Sequence, residues 1–257
     1  KKKKHCAADI SLPESVKNPL KYYYNNTSKS IKLLEKAKRN GVNNFVFSCT
    51  AAVYGEPPES VAGSIPETQP CRPINAYGES KLMFETILKR YSEVNPNFKY
   101  ASLRYFNVAG SDIGNRVQDI HWRKKGNVIP KILSHVIDGK GEFRIFGTDY
   151  DTSDGSCVRD YVHPTDLANA HLICIQKDIK GVYNLGTNRG STVWEIGKEV
   201  VSAKNSGVDV IHAKRRKGDP KVLVANPTRF MKETGWEPAY NISEIVRTAY
   251  KAYKKVK

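Results

Sequence analysis

Tyr77 and Lys81 stand four residues apart in the segment AYGESK, and Thr50 closes the apolar run FVFSCT upstream of them. Phenol, ammonium and hydroxyl together make an acid/base set able to move a proton on and off an alcohol oxygen while hydride leaves or returns to its carbon. A phenol with a reference pKa of about 10 is a poor base at neutral pH, so it needs a nearby cation that stabilises the phenolate. On a helix, residues at i and i+4 share a face with their Cβ atoms roughly 5–6 Å apart, which puts Lys81 within reach of that role. Thr50 adds a hydroxyl that hydrogen-bonds the same reacting oxygen and steers its proton. A Tyr and a Lys at this spacing also occur on solvated helix faces, so the weight of the pair depends on the elements around it.

Those elements alternate. Leu20, Tyr23, Tyr24, Thr27, Ile31 and Leu34 recur at near-helical spacing and Gly41 is a stop, which predicts a helix over 19–40. Asn44–Cys49 reads as a short buried strand, Glu56–Pro73 as a Pro-rich loop, Asn75–Asn95 as the helix carrying Tyr77 and Lys81, and Tyr100–Tyr105 as a second strand. Strand and helix in alternation predict an α/β fold, a Rossmann-like doubly wound parallel sheet. After Val108 the pattern changes. Helices are predicted at 128–138, 166–175, 192–202, 227–234 and 242–253, with strands at 143–146, 181–185 and 208–212. The expected division is a nucleotide-binding layer over 1–107 and 159–186, with a smaller mixed α/β substrate lobe over 108–158 and 187–257.

Composition narrows the classes. Hydrophobic residues at 39% and charged residues at 26% suit a globular chain, and no apolar run nears the roughly 20 residues of a membrane span. No charged-then-apolar leader is visible. The five cysteines, Cys6, Cys49, Cys71, Cys157 and Cys174, are odd in number and lack a CxxC pair. They argue against a disulfide framework or zinc site and for a reducing cytoplasm, and six dispersed histidines without HExxH predict no metal. Lys and Arg number 42 against 26 Asp and Glu, a formal charge of +16. The clusters Lys1–Lys4, Arg123–Lys125 and Lys254–Lys257 read as solvated faces and ends, without a nucleic-acid motif.

The strings PESVKNPLKYYYNN (13–26), FVFSCTAAVYGEP (45–57), AYGESK (76–81), LRYFNVAG (103–110), IFGTDYDTSDGSCVRDYVH (145–163), VYNLGT (182–187) and RRKGDP (215–220), in that order, resemble the extended short-chain dehydrogenase/reductases, and within them the UDP-hexose 4-epimerase branch. The resemblance runs from about His5 to Tyr253. It implies NAD held through the catalytic cycle and interconversion of UDP-glucose and UDP-galactose by oxidation and re-reduction at the sugar C4′, with Tyr77 as base. It also implies Cys6, Ala7, Ala8, Ile10, Asn25 and Phe106, with Thr50, Tyr77 and Lys81, as the cofactor lining. The UDP contacts it implies are Asn107, Asn127, Val128, Arg144, Ile145, Phe146, Arg159, Arg216 and Asp219, and the assembly it implies is a homodimer packed through the helices at 19–40 and 75–95. Guanidinium groups suit a diphosphate because their hydrogen bonds to it are paired and charge-assisted.

Two departures matter. Dehydratases of the same family place an acidic pair directly after the active-site Thr, whereas here Ala51 and Ala52 follow Thr50, leaving no acid for elimination. The family's opening strand, Gly-x-x-Gly-x-x-Gly turn and helix are not found, so the first βαβ unit is expected to be missing and Lys1–Lys4 to be foreign to the buried strand they precede. Leu223, at the position that governs N-acetyl sugars in the family, leaves that choice open. The alternatives are another UDP-sugar 4-epimerase, acting on an N-acetylhexosamine, uronate or pentose, and a non-catalytic UDP-sugar-binding protein.

Overall fold

The run NFVFSC has no charged side chain and little to solvate, so it can lie only where both faces of a strand are covered. The computed structural model, which describes residues 1–57, 63–114, 116–117, 119–124, 126–202, 207–215 and 220–256, places it at the centre of a parallel sheet. In chain order the elements begin with β1 (Lys2–His5), α1 (Leu12–Lys17), α2 (Pro19–Tyr22), a π-helical stretch (Tyr23–Ser28), α3 (Lys29–Arg39), β2 (Asn44–Thr50), α4 (Ala76–Val94), β3 (Lys99–Tyr105) and β4 (Asn107–Val108). They continue with α5 (Val128–Asp138), β5 (Glu142–Phe146), β6 (Val158–Val162), α6 (Pro164–Gln176), β7 (Gly181–Leu185), β8 (Gly190–Thr192), α7 (Val193–Ser202), β9 (Asp209–Ala213), β10 (Val222–Leu223), α8 (Thr228–Thr234) and α9 (Ile242–Lys255). Two units result: 1–105 with 169–185 and 226–236, and 106–168 with 186–225 and 237–257.

The first unit is built on four parallel strands in the order β1-β2-β3-β7, with Asn44 opposite Lys2 and Lys99, and Ala101 opposite Gly181. Helix α4 covers one face: Phe84 meets Phe47 edge-on at 4.9 Å and packs against Phe45. Tyr105 reaches His171 of α6 on the other face, so the sheet is doubly wound as predicted. Emptying the Phe84 site would cost about 3–5 kcal/mol. β1 pairs with β2 over its whole length, with Lys2, Lys3 and Lys4 keeping their side chains exposed and only His5 buried. Lys2 also binds Asp178 at 2.9 Å.

The second unit folds around Trp122, Ile129, Ile132, Leu133, Phe143, Ile145, Ile196 and Val200, with Ile245, Ala249 and Tyr253 from α9. Trp122 and Tyr253 stack face to face at 4.4 Å. β6, expected in the nucleotide-binding layer, lies here instead, hydrogen-bonded in parallel to β4 and β10 and antiparallel to β8. Its Asp160 accepts from Thr187 N, Thr187 Oγ1, Asn188 N and Ala225 N, which ties β6 to those segments. α8, expected in the substrate lobe, belongs to the first unit, where Phe230 packs on Tyr183 of β7. Among the described residues no helix is long and apolar enough to cross a membrane.

Candidate active site

Thr50, Tyr77 and Lys81 converge where β2 ends and α4 begins. Asn75 caps α4, its Oδ1 accepting the Gly78 N–H at 2.9 Å. The 3₁₀ turn Ala51–Tyr54 follows Thr50 and presses on the first turn of that helix. A Cβ at position 78 would lie 2.5 Å from Ala52 O, which is why glycine follows Tyr77. Gly55 closes the turn at φ 67°, a conformation that favours glycine, and a Cβ there would sit 1.9 Å from Arg72 O. Thr50 Oγ1 accepts the Ala52 N–H at 3.2 Å, and its hydroxyl stands close enough to the Tyr77 phenol to favour the ionised form.

Burial pushes the Tyr77 phenol up to about 12, and the Thr50 hydrogen bond opposes that rise. Burial likewise brings the Lys81 ammonium down to about 8. The expected effect of Lys81 on Tyr77 is not realised by the protein alone. Lys81 Nζ lies 4.5 Å from the centre of the Phe47 ring, and the groups that shift Tyr77 are its own burial, Thr50, Cys49 and Tyr22. Lys81 therefore holds three N–H donors in a buried place with no hydrogen-bond acceptor among the described residues. His5 stays neutral beside it, lowered to about 4 first by burial and then by Lys81, with Nε2 2.7 Å from Ser30 Oγ.

The loop after β1 carries the other expected cofactor residues. Cys6, Ala7 and Ile10 are exposed and Ala8 half-buried. The Cys6 thiol is lowered to about 7, chiefly by a hydrogen bond with His171. Asn25 is half-buried and accepts only from Lys29 Nζ at 3.0 Å. Its neighbour Asn26, which the sequence reading missed, does more. Asn26 Oδ1 accepts the Asp9 N–H at 2.8 Å, and its Nδ2 donates to Asp9 O at 3.0 Å and to Ser80 Oγ at 3.1 Å. It ties the loop to the helical turn between Tyr77 and Lys81. The π-helical stretch turns Asn26 inward, and such stretches are frequent at functional sites.

In the second unit Phe106 is buried, Asn107 half-buried on β4, Asn127 exposed ahead of α5, and Val128 half-buried. Arg144 is exposed and pairs with Glu142 at 3.5 Å. Ile145 belongs to the core, since on β5 the side chains of 143 and 145 point inward. Phe146 is half-buried. Arg159 is buried, with Nη1 donating to Val158 O and Pro220 O, each at 2.8 Å. Arg216 and Asp219 lie outside the described residues. Leu223, half-buried on β10, is paired with Arg159.

A parallel sheet with Thr50, Tyr77 and the buried Lys81 gathered at one strand end defines a class, and the profile of the NAD dependent epimerase/dehydratase family matches residues 4–186. The chain belongs to that family. It is 42% identical over 258 residues to the UDP-glucose 4-epimerase of Lactobacillus helveticus, an alignment covering 97% of this chain and 76% of the relative. It superposes with a TM-score of 0.92 and 31% identity on the UDP-glucose 4-epimerase of Stenotrophomonas maltophila, crystallised with NAD and formylated UDP-arabinopyranose, covering 99% of this chain and 76% of that one. The UDP-Glc/GlcNAc 4-epimerase of Campylobacter jejuni gives 0.82 and 38%, covering 98% and 77%.

The buried ammonium has a measurable consequence. Because the folded Lys81 loses its proton near pH 8 and the unfolded one near 10.5, the unfolded chain binds more protons between those values. The penalty of the buried charge is fully present below about pH 8 and is relieved as the pH rises to 10.5. Lys81→Met is expected to stabilise the fold by roughly 1–3 kcal/mol at pH 7, with the gain vanishing toward pH 10.5. Denaturant unfolding across this range checks it, and a Lys81→Met chain less stable than the parent at pH 7 contradicts it.

Proposed function

We propose that the chain interconverts UDP-glucose and UDP-galactose by reversible oxidation at the sugar C4′ with NAD as its cofactor. The observation that carries this reading is the convergence of Thr50, at the end of β2, with Tyr77 and the buried Lys81 on α4, where Lys81 has no hydrogen-bond acceptor among the described residues. A pair of ribose hydroxyls fits those unfilled donors, so Lys81, with Cys6, Ala7, Ala8 and Ile10 on the adjoining loop, would hold NAD. When bound, NAD supplies the hydride acceptor and, in the return step, the hydride donor. Tyr77 takes the proton from the sugar 4′-hydroxyl as the carbon is oxidised and returns it to the 4-keto sugar as it is reduced. Thr50 donates to the reacting oxygen and keeps the proton on the line to Tyr77. Ala51 and Ala52 offer no acid to expel a neighbouring hydroxyl, which supports epimerisation over dehydration.

The buried phenol, held near 12, is a weak base until a cation comes closer, and Lys81 reoriented onto a ribose is one that this chain supplies. In the second unit, Arg159 is the buried guanidinium suited to a diphosphate. We also read the helices α2–α4 as the pairing face of a homodimer. Leu20 and Tyr24 are 76% and 57% exposed, and Met83 is 40% exposed on α4. Other tyrosines on these helices are engaged within the chain: Tyr22 is buried on Ser11 and Glu14, Tyr23 donates to Glu79, and Tyr91 packs on Phe98.

Tyr77→Phe is expected to lower turnover of UDP-galactose by at least about 100-fold while UDP binds within about twofold of the parent. Parent-like turnover in that variant would remove Tyr77 from its role. Assays beside UDP-N-acetylgalactosamine and UDP-glucuronate decide the substrate, and faster turnover of either displaces UDP-galactose. Light scattering is expected to give twice 28.9 kDa for the parent and the single mass for Leu20→Glu combined with Met83→Glu. A monomeric parent rules the dimer out.

A further inference from the structure

The contact between Thr50 and Tyr77 depends on how the Ala51–Tyr54 turn and α4 are held, and a buried polar network fixes both. Glu85 lies one turn beyond Lys81 on α4, and Arg104 lies on β3. Both are buried, and the guanidinium holds the carboxylate through Nε at 3.2 Å and through Nη2. Ser102 Oγ donates to the same carboxylate at 2.6 Å. The third arm of Arg104, Nη1, donates to Tyr54 Oη at 2.8 Å, and that hydroxyl donates in turn to Asn184 Oδ1 on β7 at 2.7 Å. Asn184 Nδ2 continues to Ile65 O at 2.7 Å. A single hydroxyl thus joins the end of the turn to β3, to β7 and, through Arg104, to the helix that carries Tyr77 and Lys81.

Stability alone does not account for this arrangement. Buried ion pairs can often be replaced by apolar groups of similar volume without loss, whereas directional networks fix geometry. Tyr54 is 1% exposed and its ring alone would fill the same space as phenylalanine. What the hydroxyl adds is a fixed distance between the turn, the sheet and α4. Thr50 opens that turn and Tyr54 closes it, with Ala52 O between them against Gly78. Movement at Tyr54 is therefore passed to Thr50 and to the residue beside Tyr77.

We propose that Tyr54, with Arg104 and Glu85, positions the Thr50 hydroxyl on Tyr77 and so controls proton transfer at the reacting oxygen. None of the three is assigned contact with substrate, and all act through Thr50. The proposal rests on the reading of Thr50, Tyr77 and Lys81 as the reacting set. Its test is Tyr54→Phe, Thr50→Val and the two combined, with Glu85→Gln as a second variant of unchanged shape should Tyr54→Phe fold poorly. For Tyr54→Phe, kcat is expected to fall about 10–100-fold with KM within about twofold. The acid limb of its kcat–pH profile is expected to move upward, since Tyr77 loses the hydrogen bond that favours its ionised form. The double variant is expected to be no worse than about twofold below Thr50→Val, because the second change has nothing left to misplace. Losses that multiply, or an unchanged kcat, overturn the proposal. Crystal structures give a readout independent of turnover: Thr50 and Tyr77 separated in Tyr54→Phe support it, and the contact retained overturns it even if the parent proves inactive. An inactive parent, by contrast, defeats the functional reading and leaves the crystallographic arm to decide this one.

Discussion

An ammonium largely withdrawn from water without an anion or acceptor beside it is costly to a fold, and among the described residues Lys81, 3% exposed, has neither. Its surroundings are consistent with that state. The Phe47 ring faces the ammonium, and His5 stays neutral beside it, so no second positive charge is added. A group carrying paired hydroxyls would fill the donors and turn the penalty into binding. Tyr77 shares the situation from the opposite side: desolvation raises its phenol, so it holds its proton until a cation approaches. In the proposed reading, the ligand that fills the Lys81 donors would also bring the ammonium to the phenol.

The rest of the first unit keeps that arrangement in place. The aromatic packing of Phe84 on Phe45 and Phe47 seats α4 on the sheet. Gly78 lets the Thr50 turn approach the helix, and Asn26 holds the loop carrying Cys6 to Ile10 against Ser80. Glu85, Arg104 and Tyr54 then set the distance between turn and helix by hydrogen bonds rather than by bulk.

Much of this was legible in the sequence. The doubly wound sheet follows from the buried run at β2 and the alternating elements, and the reacting set from Thr50 at a strand end and Tyr77 and Lys81 one helical turn apart. Features that depend on side-chain partners were not. Asn26 faces inward, bonded to Asp9 and Ser80, because a π-helical stretch changes which side chain turns in, and 3.6-residue periodicity does not register that. The pairing of β6 is equally silent in the sequence, because its partners β4 and β10 are two-residue strands that leave no pattern of their own.

In the proposed reaction, hydride leaves the sugar C4′ and returns to the same carbon without meeting water. Conversion of UDP-galactose in deuterium oxide, followed by NMR of the UDP-glucose formed, is expected to show hydrogen at C4′ with no deuterium incorporated there, and deuterium at C4′ would contradict the proposal.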